Sequence, residues 1–250
     1  MARGAVAFPV VPGKSEDDLR SIIKHFEADP AGYWESRRSM GVSLERAYWQ
    51  QTPMGDFVIA YLETTHPTIG EAFAAAAQDQ TPMGKVFAAH VLEVHGVDLS
   101  HPPEGPAPEI VAEWADPDVA RGKGFAFMAP IIPEMEPFAR EWAADAFSRD
   151  AMTQSRHALR SNLQIATLLQ TPQGPITAVY LESEDPVAVN EQFAASTSEF
   201  DVWFKENLAK IYPPFIDFNK PIPGITEIFD SETLEGVDVP GRSAQSRTTA

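Results

Sequence analysis

The chain has 250 residues, 44% hydrophobic and 22% charged, with a formal net charge of −17 and no cysteine. The missing thiols exclude disulfides, thiolate nucleophiles, Cys-ligated zinc and iron–sulfur clusters, and the acidic balance disfavours nucleic acid and anionic membrane surfaces, which need clustered Lys and Arg. No run approaches the ~20 apolar residues that span a bilayer, and residues 1–9 lack the apolar stretch of a secretory signal, so a cytoplasmic location is expected.

Along the chain, residues 4–11 read as a short apolar strand closed by Pro12-Gly13. Ser15-Glu16-Asp17-Asp18 supplies an N-cap and an acidic first turn, and Leu19, Ile22, Ile23 and Phe26 follow at helical spacing. A second short helix is expected over 32–40. Residues 42–51 and 56–64 are β-rich runs joined by Thr52-Pro53-Met54-Gly55, which makes a hairpin. Helices follow over 68–78 and 82–94, the latter opened by Thr81 as N-cap and Pro82 at the first helical position, and 110–114 offers a closing strand. In the second half, 125–131 reads as a strand, 135–150 as a helix, 163–170 with 176–182 as a hairpin, 187–196 and 200–211 as helices, and 225–229 as a closing strand. The polar, aperiodic residues 235–250 are expected to be a disordered tail.

The two halves repeat one another. Gln51-Thr52-Pro53-Met54-Gly55 returns as Gln170-Thr171-Pro172-Gln173-Gly174, 119 residues on. At the same offset Tyr61-Leu62-Glu63 returns as Tyr180-Leu181-Glu182, and Ser36-Arg37 as Ser155-Arg156. Pro9-Val10-Val11-Pro12 matches Pro130-Ile131-Ile132-Pro133 at 121. Ordered matches at nearly constant spacing indicate two diverged copies. A third Gln-Thr-Pro-Met-Gly, residues 80–84, falls out of register and reads as a helix start.

Each copy has the order β-α-β-β-α-β, the split ferredoxin-like plan. A four-stranded antiparallel sheet with helices on one side leaves its other face bare, and a second copy covers it. The element order, module length and tandem copy resemble the dimeric α/β barrel superfamily in a fused form. The resemblance implies an α+β fold: two tandem ferredoxin-like βαββαβ modules, 1–119 and 120–234, packed sheet to sheet as one α/β barrel. It also implies a range of activities, among them cofactor-free monooxygenases, polyketide cyclases, lactone isomerases, haem enzymes and non-catalytic ligand-binding proteins, and fold does not choose among them.

Alternate residues of the first hairpin should point into the barrel lumen. Leu44, Arg46, Tyr48 and Gln50 share one face, and Glu45, Ala47, Trp49 and Gln51 the other. The second copy is more apolar there, so a single cavity is expected in the first. Glu45 and Arg46 as rim charges, with Tyr48 and Trp49 as packing, is the competing expectation. His90 and His95 lie near the end of the 82–94 helix, and the second copy has no histidine in the matching place. Their spacing of five puts them on different faces of a regular helix, and no metal-ligand spacing occurs. The resulting expectation is a small-molecule enzyme without a tightly bound metal, acting on an aromatic or polyketide-like substrate by monooxygenase, cyclase or isomerase chemistry. His95 is its general base, Tyr48 and Arg46 orient a carbonyl or phenolate, and Trp49, Tyr61, Tyr180 and His90 contact the ligand. A haem protein ligated through His90 or His95 is one alternative, and a non-catalytic small-ligand-binding or stress protein another. A fused pair has already covered the sheet face that drives dimerisation, so a monomer or weak homodimer is expected.

Overall fold

Two short sequence motifs set the frame. In the computed structural model, which describes residues 2–101 and 105–234, both in-register copies of Gln-Thr-Pro-x-Gly form the same tight hairpin turn. Thr52 Oγ1 donates to the Gly55 carbonyl over 2.7 Å and accepts from the Met54 N–H; Thr171 does the same with Gly174 and Gln173. Gly55 and Gly174 sit at φ +114° and +118°, where a β-carbon would strain the backbone. The third copy begins a helix, as its sequence suggests. There Thr81 accepts from the Gly84 N–H and Pro82 takes the first turn.

The turns join β2 (Val42–Thr52) to β3 (Gly55–Thr64) and β6 (Ser161–Thr171) to β7 (Gly174–Ser183). Around the first hairpin lie β1 (Ala2–Pro9), α1 (Glu16–Ala28), α2 (Pro30–Ser39), α3 (Ile69–Ala76), α4 (Pro82–His95) and β4 (Glu109–Ala115). Around the second lie β5 (Lys123–Pro130), α5 (Glu136–Ser148), α6 (Asp150–Ala158), α7 (Pro186–Ala195), α8 (Glu199–Ile211) and β8 (Ile225–Asp230). The N-cap expected at Ser15 is present, and it is a capping box with Asp18 as its reciprocal partner. Expected residues 135–150 are not one helix: the backbone is extended at Arg149, and α6 starts directly after it. The tail 235–250 lies outside the described residues. No helix among the described residues is long and apolar enough to cross a membrane.

The molecule is α+β with two four-stranded antiparallel sheets, ordered β1-β3-β2-β8 and β4-β6-β7-β5. The closing strand of each half therefore leaves its own hairpin. β4 pairs along β6 and β8 along β2, so neither sheet is built from one half alone, as a self-contained ferredoxin-like module requires. Nor do the strands close into one barrel. Closure needs a continuous staggered register across every edge, and among the described residues each outer strand pairs on one side only.

The sheets face each other across a shared core in which Ala5, Leu44, Ile59 and Tyr61 meet Met128, Ile165, Ala178 and Tyr180. Helices cover the outer faces. α1, α2 and α4 pack Leu19, Ile22, Tyr33 and Val94 against the first sheet, and α5, α6 and α8 pack Trp142, Met152 and Phe204 against the second.

Candidate functional site

The first sheet divides the expected site residues into two groups, because neighbours on a strand point to opposite faces. Arg46, Tyr48, Tyr61 and Tyr180 lie between the sheets. Trp49, His90 and His95 lie on the helix side. The expected catalytic set of His95, Tyr48 and Arg46 is thus not assembled at one place.

The inter-sheet group is packed and paired. Arg46, 1% exposed, donates from Nη1 to Tyr180 Oη (2.6 Å) and Glu182 (3.0 Å), from Nε to Asp230 (2.9 Å) and from Nη2 to Glu232 (2.6 Å). Burial disfavours its charge, and Tyr180 with the surrounding carboxylates more than offsets that, so its pKa is raised. The Tyr61 and Tyr180 rings stack at 3.5 Å and 6°, their hydroxyls donating to Glu63 and Glu182. Arg121 closes the network by bonding both carboxylates. Tyr48 packs beside Tyr180 with its hydroxyl unpartnered. This group holds β2, β3, β7 and β8 together, and the expectation of a ligand lumen here gives way to a filled core.

Glu45 and Arg46 are not rim charges. Glu45 is buried on the helix side, accepting from Tyr33 Oη (2.9 Å) and Arg37 Nε (2.5 Å). Trp49 packs with Leu19, Val58, Val94 and Ile228.

Above Glu45 and Trp49's strand, between the sheet and helices α1, α3 and α4, is an apolar cavity of about 80 Å³. Its polar liners are Glu45, His90 and His95; Phe8, Phe26 and Phe73 give it aromatic walls. The helix that carries both histidines is fixed at each end. Asp79 accepts from Ser36 and the Thr81 N–H ahead of it, and Gly96 at φ +66° stops it with a bond to the Leu92 carbonyl. Spacing alone put His90 and His95 on different faces, yet both line this cavity, since its walls wrap the helix from β1 across to α1.

His95 Nδ1 lies 2.9 Å from the Pro9 carbonyl oxygen. That oxygen can only accept, so Nδ1 carries the proton and Nε2 is the basic atom. Burial lowers the His95 pKa, outweighing the Pro9 carbonyl. His90 is pushed down to about 4, first by burial and then by His95, and its Nε2 is buried without a partner. Both rings are therefore neutral at pH 7 and able to accept a proton. No group of three or more metal-ligating side chains occurs among the described residues.

The fold and this cavity define an α+β protein with a helix-covered, histidine-bearing pocket. No protein-family model matches the chain, and no curated protein matches it. Among solved structures it is similar to the crystal structure of a "Putative monooxygenase" from Fusobacterium nucleatum subsp. nucleatum, at 12% identity over 91% of this chain and 92% of that one, with a TM-score of 0.47.

Proposed function

We propose that this chain is a small-molecule enzyme that binds a compact, largely apolar ring compound in the cavity beneath α1 and α4 and takes a proton from it. The observation that supports this is the pair of buried, neutral histidines facing an otherwise apolar space, one of them oriented by a backbone carbonyl. In this reading His95 Nε2 is the general base, the Pro9 carbonyl stabilises the imidazolium that forms, and His90 offers a second hydrogen-bonding atom to the substrate. Proton abstraction from a phenol or enol is the common first step of cofactor-free oxygenation, cyclisation and isomerisation, so the reading covers that group of reactions.

The same reading takes residues 1–119 and 120–234 as two copies whose closing strands are exchanged, and the working unit as a monomer with a small molecule as partner. Haem fits poorly. The free His90 Nε2 is a suitable ligand atom, but a cavity of about 80 Å³ is well below the ~300–1,000 Å³ of sites that enclose drug-sized ligands, and no step is assigned to it.

Titration with 4-nitrophenol below neutral pH tests the proposal, because the absorption of the phenol responds to a hydrogen bond at its hydroxyl. The wild-type protein is expected to bind the neutral phenol and shift its spectrum through a hydrogen bond to His95 Nε2. His95→Gln, which keeps the side chain polar and of similar size, is expected to lose the shift and to bind about tenfold more weakly. An unchanged shift in the variant would remove His95 from the role of base.

A further inference from the structure

The second half carries its own cavity, and its electrostatics are opposite to those of the first. It measures about 90 Å³ and lies between the outer face of the second sheet and helices α5, α7 and α8. Its charged liners are Glu136, Arg140, Arg156 and Lys220, an excess of positive charge in a chain whose formal net charge is −17. Three of the four belong to the rim, where Glu136 and Arg140 bond each other and Lys220 pairs with Asp217. Arg156 is different: it is 3% exposed.

Arg156 corresponds to Arg37 at the 119-residue offset, and the two are built alike. Each guanidinium donates to the preceding serine, Ser36 or Ser155, which donates on to an aspartate, Asp79 or Asp201. Each lies against aromatic faces, Phe26, Tyr33 and Phe87 in one half, Phe193 and Phe204 in the other. They differ in the residue opposite Nε. Arg37 meets the carboxylate of Glu45 at 2.5 Å, whereas Arg156 meets the neutral amide of Gln164 at 2.6 Å. The nearest carboxylate to Arg156, Asp201, is 3.8 Å away and already accepts from Ser155, Ser196 and Ser198. Burial pulls the Arg156 pKa down to about 10, Asp201 offsetting only part of the effect. A second donor lining the same cavity, Trp142 Nε1, is buried and unpartnered.

A buried cation whose nearest carboxylate stands 3.8 Å off and is shared with three serines is incompletely neutralised, and a ligand can supply the remaining charge. We infer that the second cavity is a binding site for a small monocarboxylate with an apolar, ring-sized body, its carboxylate paired with Arg156 and reached by Trp142 Nε1. The site is separate from the histidine cavity and takes a different class of molecule: an anion here, a neutral proton donor there.

Benzoate and its neutral isostere benzamide test this by isothermal titration calorimetry. Wild-type protein is expected to bind benzoate about tenfold or more tightly than benzamide, since only the first forms a charge-assisted pair. Gln164→Glu gives Arg156 the internal partner that Arg37 already has, without touching the guanidinium or its packing. It is expected to weaken benzoate about tenfold, leave benzamide within about twofold, and keep the far-ultraviolet circular dichroism. His95→Ala is expected to leave benzoate binding unchanged. Equal affinities for the two probes, no benzoate binding at millimolar concentration, or benzoate binding indifferent to Gln164→Glu would each overturn the assignment. Loss of benzoate binding in His95→Ala would move the carboxylate to the other cavity and overturn it equally.

Discussion

His90 and Arg156 are both buried ionisable groups without a full set of partners, and each leaves a trace that solution measurements can read. For His90 the trace is pH dependence. Its folded pKa of about 4 lies below the ordinary 6.5, so the unfolded chain takes up the proton first as the solution is acidified. The stability that comes from keeping His90 neutral is fully present above pH 6.5 and is lost as pH falls from 6.5 towards 4. Thermal melts of wild type and His90→Leu across that window are expected to differ in slope, the wild type losing more melting temperature on acidification than the variant. Parallel curves would mean that His90 is not held neutral. Histidine 90 and 95 were legible in the sequence as candidates by their asymmetry between the halves. That they share a cavity was not, because helix spacing says nothing of how a pocket wall bends around the helix. Glu45 and Arg156 were readable only as charges. Their burial depends on which helix lies over the strand, and that is decided by tertiary packing.

Elements show the same division. The hairpins, the Ser15 and Thr81 caps and the Gly96 stop are all local chemistry, and the sequence specifies them locally. The break between α5 and α6 was obscured by a continuous helix-compatible stretch, although the match of Ser155-Arg156 to Ser36-Arg37 carried the hint that a second helix belonged there. The repeated Tyr-Leu-Glu tripeptide marked something fixed in both halves, and it proves to be the stacked tyrosine pair with its carboxylates. One small residue admits that pair. A β-carbon on Gly124 of β5 would collide with Tyr48 Oη and come within 2.7 Å of Tyr180 Cε2 and Oη. Gly124→Ala is expected to lower the unfolding free energy by about 1–3 kcal/mol through overpacking, read as a shift in the urea midpoint. Unchanged stability would show that the inter-sheet layer has room for a methyl group and that Gly124 does not limit its packing.

At the scale of the molecule, strand order could not be read from the sequence at all. An apolar run such as 225–230 says that it will pair and is silent about with whom. Its partner is β2, about 180 residues earlier, and Asp230 at its end and Glu232 just beyond hold Arg46. Cutting the chain after residue 119 therefore leaves each fragment with one strand that belongs to the other. Fragments 1–119 and 120–250 are expected to recover a folded 1:1 complex when mixed, measured by size exclusion with light scattering. A folded, monomeric fragment on its own would contradict the exchange. The exchange also sets a clock on the ribosome. The free edge of β2 is complete once residue 52 has emerged, but β8 does not exist until residue 225. At ~5–20 residues per second that gap is on the order of 10–35 s, during which a newborn chain presents an unpaired strand to every neighbour and depends on its abundant negative charge, or on a chaperone, to remain alone.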